Sequence, residues 1–208
     1  MPRKINRLNH IPLMYEIEEF LSADEIAHFL TLGDEDMSRA QVSDTKQGRH
    51  SERRTNRVRW VPHDHSALTS AVAARASSLV GIPLPHAEKF QLINYGPSQE
   101  YQAHYDAFDP SMPRGQRNWV RGGQRLVTVL VYLNAVASGG HTSFSNLEVS
   151  VEPAPGKALV FYNCYPNTNR RHPLTLHAGD PVGSGEKWAF NLWFREYPRD
   201  QKIRPPVQ

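Results

Sequence analysis

The first part of the chain carries apolar residues at helical spacing in two segments. Ser22 followed by Glu25 is typical of a capping box, and Gly33 is placed to end the helix that begins there. A second helix is predicted from about residue 66 to 80, since Gly81 and a proline follow it. Both helices are expected to support a larger unit. The apolar stripes are Ile26, Phe29 and Leu30 in the first helix and Leu68, Val72, Ala76 and Leu79 in the second.

From Glu88 onward the pattern changes to short runs of β-branched and aromatic residues separated by Gly, Pro and Asn. Such runs are typical of an all-β sandwich or barrel. In the last run, strand alternation puts an apolar set on one face and a mixed set on the other. The mixed face is either solvated or part of a site, and alternation alone leaves both open. The apolar set is Trp188, Phe190, Leu192 and Phe194, and the mixed set is Lys187, Ala189, Asn191, Trp193 and Arg195.

Composition and charge narrow the class of protein. With 208 residues, 39% hydrophobic and 22% charged, the chain is predicted to fold as one soluble globular domain. A single cysteine, Cys164, allows neither an internal disulfide nor a cysteine-rich zinc site. We find neither an apolar run of roughly 20 residues nor a signal-peptide region, so we expect a cytoplasmic protein without membrane association. The net charge of +3 is too small to indicate nucleic acid.

Two residues in the run EYQAHYDAF could bind one metal ion together. His104 and Asp106 stand two apart, so a β-strand would present both on the same face. This spacing alone is weak, because it arises often by chance. His177, at the end of another β-like run, supplies a third ligand if strands distant in sequence are neighbours in a closed sheet. Two histidines and one carboxylate form the facial triad of non-haem Fe(II) oxygenases.

Lys187, ten residues after His177 and on the mixed face, extends this pattern. The four residues in their order resemble the Fe(II)- and 2-oxoglutarate-dependent dioxygenases, and the surrounding sequence is similar to their prolyl 4-hydroxylase branch. The resemblance runs from about Ser38 to Glu196. It is carried by the order and spacing of the segments SERRTNRVRW, FQLINYGPSQEYQAHYDAF, RLVTVLVYLNAVASGGHTSF, VEPAPGKALVFYN and LTLHAGDPVGSGEKWAFNLWFRE.

The resemblance implies a mainly β fold with supporting helices, built on a double-stranded β-helix core of the jelly-roll or cupin-like type. The strand pattern agrees with this expectation. We expect a single domain over residues 1–208. In it, residues 1–84 would form an N-terminal helical support segment, residues 85–197 the dioxygenase core, and residues 198–208 a C-terminal tail.

The resemblance also implies a role for individual residues. The Fe(II) ligands, which are also the catalytic residues, would be His104, Asp106 and His177. The residues that contact 2-oxoglutarate would be Lys187, which pairs with the distal carboxylate, Tyr95 and Thr142. The peptide groove would be lined by Tyr101, Arg125, Trp193 and Arg195, with Glu88 as a further member. Three open positions on the iron would take the 2-oxo acid and O2, and ascorbate would rescue oxidised iron.

These features favour an enzyme that hydroxylates prolyl residues in a peptide or protein and converts 2-oxoglutarate to succinate. An ammonium group in a partly dry barrel would select the 2-oxo acid by charge and by length. His141, Ser98 and the pair 167–168 depart from residues common in prolyl hydroxylases. The same chemistry on another residue, a free amino acid or a small molecule therefore stays open. A non-catalytic module that binds proline-rich segments is a further alternative, against which the triad and lysine argue. The oligomeric state is undetermined.

Other polar residues are predicted to have ordinary structural roles. His63 and His65 are expected to cap the second helix or to be exposed, and Cys164 is expected to be a buried thiol. The arginine cluster within residues 49–59 is predicted to be a solvated face. Residues 107–124 are predicted to form a long loop, either a lid or a mobile surface segment. The histidines expected to lie away from the site are His141 and His172.

Overall fold

The computed structural model describes residues 4–33, 37–40 and 53–206. Over these ranges the chain forms fourteen β-strands and three α-helices. The strands are β1 (Ile5–Asn9), β2 (Met14–Ile17), β3 (Ser38–Arg39), β4 (Arg57–Val61), β5 (Phe90–Tyr95), β6 (Tyr101–His104), β7 (Arg125–Tyr132), β8 (Ser138–Gly139), β9 (Thr142–Phe144), β10 (Val149–Val151), β11 (Ala158–Tyr162), β12 (His177–Gly179), β13 (Val182–Ser184) and β14 (Lys187–Arg195). The helices are α1 (Ala23–Gly33), α2 (Ala67–Val80) and α3 (Pro113–Trp119). In the described ranges, none of these helices is long and apolar enough to cross a membrane.

The two N-terminal helices begin at residues whose side chains satisfy free backbone N–H groups. The Ser22 N–H donates to the Glu25 carboxylate at 2.9 Å, and the Glu25 N–H donates to the Ser22 hydroxyl at 3.2 Å. The predicted capping box is thus confirmed. Ser66 caps α2 by accepting from the Thr69 N–H at 3.1 Å. Gly81 ends this helix in the left-handed conformation, with φ at 69°.

Two sheets face each other across the centre of the molecule. The larger sheet has eight strands in the order β1-β2-β11-β7-β14-β5-β4-β3, and the smaller has four in the order β10-β9-β12-β6. Their neighbouring strands pair antiparallel, and β8 and β13 form a separate ribbon. This arrangement confirms the predicted jelly-roll core with supporting helices.

Alternation along β14 gives the predicted apolar core face, and the structure adds a second hydrophobic core on the mixed face. Phe190 and Phe194 point towards α1 and α2, in a core that covers the outer face of the large sheet. Ala189 points the other way, into a core between the two sheets. Gly33 allows α1 to pack closely, because a Cβ atom there would lie 2.3 Å from the indole ring of Trp188. The polar residues of the inner face are thereby placed inside the barrel.

Two segments differ from their predicted structure. The described part of residues 1–84 contains four strands besides the helices: β1 and β2 form one edge of the large sheet, and β3 and β4 form the other. The sequence of β1, INRLN, has no apolar alternation that could reveal it, because most of this edge strand is exposed. Residues 107–124 are not a continuous loop, since α3 lies within them. Pro113 in the first turn of α3 has a backbone angle that suits a helix start.

Candidate active site

Two histidines meet across the smaller sheet. His104 is the last residue of β6 and His177 the first of β12, and the antiparallel register places them directly opposite each other. Their ring centroids are 4.3 Å apart. Because β6 ends at His104, Asp106 is presented by the bend after the strand, and the prediction that both lie in one strand is wrong. The Asp106 carboxylate nevertheless lies 3.7 Å from the Nε2 atom of each histidine.

Backbone carbonyl groups fix the orientation of both imidazoles. His104 Nδ1 lies 2.9 Å from the Gln102 carbonyl oxygen, and His177 Nδ1 lies 2.9 Å from the Thr175 carbonyl oxygen. These contacts assign the ring proton to Nδ1 and leave the lone pair of Nε2 available for a metal. Burial, together with the neighbouring His177, lowers the pKa of His104, so this ring is neutral. Neutral imidazole is the form that binds metal ions.

A short chain of hydrogen bonds holds the Asp106 carboxylate. The Thr128 hydroxyl of β7 donates to Asp106 at 2.8 Å and accepts from the Asn163 side-chain amide at 2.9 Å. Burial by itself raises the pKa of Asp106, but the positive charge that His177 and His104 carry when protonated, together with Arg125, outweighs it and lowers the pKa to about 2. The carboxylate is therefore ionised. Thr128 and Asn163 were not predicted from the sequence, and no local motif distinguishes them.

This donor set fits an Fe(II) ion. One ligand atom from each of the three residues lies within 4.8 Å of the others. Two imidazoles and one carboxylate on the same side of an ion leave its other positions open, which is the facial arrangement of non-haem Fe(II) oxygenases. Asp106 is only 5% exposed. A buried ionised carboxylate is costly unless a cation compensates it, and a bound metal ion supplies that charge.

A buried lysine lies in the same cavity. Lys187 begins β14 opposite Tyr95 of β5 and is 2% exposed. Its Nζ atom is 3.5 Å from the Thr142 hydroxyl, which accepts from the Tyr132 hydroxyl at 2.8 Å. Burial lowers the pKa of Lys187 to about 8, and Asp180 opposes only part of this shift. Among the described residues, no carboxylate forms an ion pair with this ammonium, so it can receive the carboxylate of a ligand.

Two arginines share one carboxylate beside the triad. Arg125 donates to both oxygens of Glu88, at 2.7 and 2.9 Å, and Arg195 Nη1 lies 3.4 Å from the same carboxylate. The Arg125 guanidinium also lies over the Trp193 ring, 3.7 Å from its centre. Burial alone raises the pKa of Glu88, but Arg125 and Arg195 outweigh it and lower the pKa. These four residues, predicted as part of a groove, form one connected cluster.

Tyr101 lies between the metal ligand His104 and Arg54, an arginine that the sequence predicts to be solvated. Its ring stacks on His104 with centroids 3.6 Å apart. The Arg54 guanidinium lies 4.7 Å from the centre of the same ring and donates to the side chains of Asn56 and Gln91, at 2.9 Å each. Arg54 is only 9% exposed, so the prediction of a solvated arginine face is wrong for this residue. Neighbouring arginines in the sequence give no signal that one of them is buried.

All eleven predicted site residues line a single cavity of about 1440 Å³. His63 lines it too, and its Nε2 atom lies 2.6 Å from the Glu88 carbonyl oxygen, so it is neither a helix cap nor fully exposed. Cys164 is buried as predicted, and burial raises the pKa of its thiol to about 12. Arg49 lies outside the described residues. Of the other histidines considered, those that do not line this cavity are His65, His141 and His172.

Comparison with known families assigns this fold and site to a class. A sequence profile of the 2OG-Fe(II) oxygenase superfamily matches residues 90–195. The matched segment begins with β5 and ends with β14, and it contains the triad and Lys187. The chain therefore belongs to the 2OG-Fe(II) oxygenase superfamily. Membership implies Fe(II), 2-oxoglutarate and O2 as the reactants that the site handles.

Individual relatives place the chain in the prolyl 4-hydroxylase-like branch of that superfamily. It is 50% identical over 115 residues to the "Putative prolyl 4-hydroxylase" of Acanthamoeba polyphaga mimivirus, covering 55% of this chain and 48% of that protein. It is 30% identical over 227 residues to the "Probable prolyl 4-hydroxylase 4" of Arabidopsis thaliana, covering 98% of this chain and 74% of the plant protein. The match thus spans about half the length of the mimivirus relative.

A solved structure shows the same architecture. The viral collagen prolyl hydroxylase from Paramecium Bursaria Chlorella virus-1, in its 2OG complex, superposes with a TM-score of 0.68 at 25% identity. The superposition covers 88% of this chain and 95% of the viral chain. The likeness therefore extends beyond the core strands to most of the N-terminal segment.

Thr128→Val is expected to weaken metal binding, because it removes the hydroxyl that orients the Asp106 carboxylate. Loss of such an outer contact typically lowers metal affinity by about 10- to 100-fold. Thr128→Ser keeps the hydroxyl and is the matched control. Titration with Mn(II), a redox-stable probe detected by electron paramagnetic resonance, measures the affinity. Equal affinity in the valine and serine variants would contradict this role for Thr128.

Proposed function

We propose that this chain hydroxylates prolyl residues in peptides or proteins, using Fe(II), 2-oxoglutarate and O2. The observation that carries the proposal is that one cavity contains the triad, the buried Lys187 ammonium and the cluster around Arg125 and Trp193. The prolyl hydroxylases among the relatives support the choice of substrate. Ascorbate as a reductant and a cytoplasmic location belong to the same proposal.

The chain's own residues bind and orient the reactants. When bound, Fe(II) and 2-oxoglutarate activate O2, so that the co-substrate becomes succinate and CO2 and one oxygen atom enters a substrate C–H bond. Lys187 pairs with the distal carboxylate of the co-substrate, and Thr142, held by Tyr132, offers a hydroxyl beside that pair. The pair is buried, where an unmatched charge is costly, so ligands of the wrong length or charge are disfavoured.

The cluster around Arg125 suits a proline-containing strand. An extended proline segment is preformed, so it loses little conformational entropy when it docks on an aromatic surface. The Trp193 ring is 4% exposed and lies under the Arg125 guanidinium, so it supports such a surface from below. Arginine donors can bind the carbonyl groups that a proline segment leaves without N–H partners. Glu88 fixes the position of Arg125 through two hydrogen bonds.

The direct test measures succinate release and the gain of one oxygen atom in a proline-containing peptide, with purified protein and added Fe(II). We expect both products with the wild-type chain. His104→Ala, Asp106→Ala and His177→Ala should each abolish both products while circular dichroism shows a folded protein. Hydroxylation of free proline or another small molecule, with the peptide unchanged, would favour a small-molecule substrate. Peptide binding without succinate would indicate a non-catalytic binding module.

Binding of 2-oxoglutarate should weaken above pH 8, because burial lowers the pKa of Lys187 to about 8. The co-substrate pairs with the protonated ammonium, and each pH unit above the pKa leaves about tenfold less of that form. Lys187→Arg keeps the charge and should remove this alkaline loss. Lys187→Ala should weaken binding about a hundredfold, by leaving the carboxylate unpaired. Calorimetric titration in the presence of Mn(II) measures these affinities, and a pH-independent wild-type affinity up to about pH 10 would contradict the assignment.

Alanine substitutions in the peptide groove should lower the rate of peptide hydroxylation without affecting the metal site. Trp193→Ala and Arg125→Ala are each expected to lower kcat/KM for the peptide by about 1 to 3 kcal/mol. Slow succinate formation without peptide should persist, because the triad and Lys187 are unchanged. Arg7→Ala, an exposed arginine on β1, is the control and should leave both rates unaltered. Unchanged peptide turnover in both groove variants would place the substrate elsewhere.

A further inference from the structure

The wall of the active-site cavity carries an excess of positive charge. Ten lysine or arginine residues line it, against five aspartate or glutamate residues. Three of those five acids are already engaged within the described structure: Asp106 in the triad, Glu88 by Arg125, and Asp109 by Arg171 at 3.3 Å. Lys187 is assigned to the co-substrate. Apart from Lys187, Arg125 and Arg171, seven lysine or arginine residues line the cavity, against two further acids, Asp64 and Asp200.

Arg195 is the buried part of this excess. It is 1% exposed, and its Nε and Nη1 atoms are buried without a hydrogen-bond partner, although Nη1 lies 3.4 Å from the Glu88 carboxylate. Its Nη2 atom is held by the Asn118 and Arg121 carbonyl oxygens, so the guanidinium is fixed in place. Glu88 is the carboxylate nearest to Arg195, but Glu88 already accepts two hydrogen bonds from Arg125. N–H donors without a hydrogen-bond partner on a fixed, buried guanidinium indicate that an anionic group can bind there.

Further cationic residues lie on one side of the cavity: Arg114, Arg121 and Arg199 line it, and Lys202 adjoins Arg121. Together, Arg114, Arg121, Arg199 and Lys202 form the basic rim. Arg114 lies on α3 and Arg121 just after it, and both are exposed. Arg199 donates to the Arg121 carbonyl oxygen at 2.6 Å, and Lys202 forms a β-bridge with Arg121. The C-terminal segment and the α3 region therefore lie side by side at the cavity, and their basic residues outnumber the acidic Asp200 between Arg199 and Lys202.

We propose that the substrate is an acidic peptide, in which a glutamate or aspartate close to the target proline binds at Arg195 while further acidic residues contact the basic rim. This inference rests on the proposed hydroxylation of peptides and adds a preference among them. Arg195 is buried in the cavity lining, so it suits one carboxylate of a strand already seated in the groove. The rim acts at longer range, since exposed charges mainly speed association and select partners by sign.

Three peptides that share one proline-containing core test this preference. They carry glutamate, glutamine or lysine at the flanking positions, and hydroxylation of each is measured as kcat/KM at low and high salt. We expect the glutamate peptide to be used about tenfold better than the glutamine peptide, as for a buried charge-assisted hydrogen bond, and the lysine peptide least. The preference should shrink from about 0.05 M to about 0.5 M salt, because screening removes the contribution of the rim. Equal use of all three peptides would overturn the inference.

Charge-reversal variants of the basic rim test whether it causes the salt-sensitive part of the preference for the glutamate peptide. Arg114→Glu and Arg121→Glu should each lower the preference for the glutamate peptide by about threefold, the size of a surface ion pair. Arg7→Glu makes the same charge change on β1, away from the cavity, and should have no effect. An equal loss in Arg7→Glu would overturn the inference, because net charge alone would then explain it.

Competition by single-stranded RNA, but not by an acidic peptide that lacks proline, would assign the basic rim to nucleic acid and also overturn the inference.

Different results would contradict the proposed hydroxylation of peptides and the proposed preference for acidic peptides. Tight binding of the glutamate peptide, measured by its fluorescence anisotropy, without hydroxylation would contradict the proposed function and leave the acidic preference intact. Equal hydroxylation of all three peptides would contradict the acidic preference and leave the proposed function intact. Absence of both binding and hydroxylation would contradict both.

Discussion

The register between β6 and β12 is the constraint on which the whole site depends. It places His104 directly opposite His177, so that both imidazoles reach one point. A slip of one residue would turn one of them to the other face of the sheet, because side chains alternate along a strand. Asp106 then needs only the bend after β6 and the hydroxyl of Thr128 to complete the triad. Since Thr128 belongs to β7, the centre also depends on how closely the two sheets approach.

The inner face of the large sheet carries charges that a hydrophobic core would exclude. Lys187 is 2% exposed and Arg195 is 1% exposed, and both sit among the residues that line the cavity. A buried charge without a full set of partners destabilises the folded state. The same lack of partners strengthens binding of a ligand that supplies the opposite charge. The chain therefore gives up some folding free energy in return for sites that accept a metal ion, a 2-oxo acid and, as we propose, an acidic peptide.

The sequence predicts the features that recur with a fixed period or spacing. Alternation along β14 separated the core face from the site face, and the order of the three ligands with Lys187 identified the family resemblance. Thr128 and Asn163 could not be found in this way, because threonine and asparagine are common in and near strands and gain their role only through tertiary contacts. Arg54 looks the same in sequence as its exposed neighbours. The edge strand β1 lacks an apolar face, and the seven residues of α3 are too few to show a helical period.

The central claim is that the triad and Lys187 form one site in which Fe(II) and 2-oxoglutarate are bound together. Anaerobic titration of 2-oxoglutarate into the Fe(II)-loaded protein tests it most directly, because a 2-oxo acid chelated to Fe(II) gives a visible charge-transfer absorption. The account predicts a saturable absorption in the wild-type chain, a shift to higher 2-oxoglutarate concentration in Lys187→Ala, and no absorption in Asp106→Ala. Absorption of the same strength in Asp106→Ala, or the same midpoint in Lys187→Ala, would contradict it.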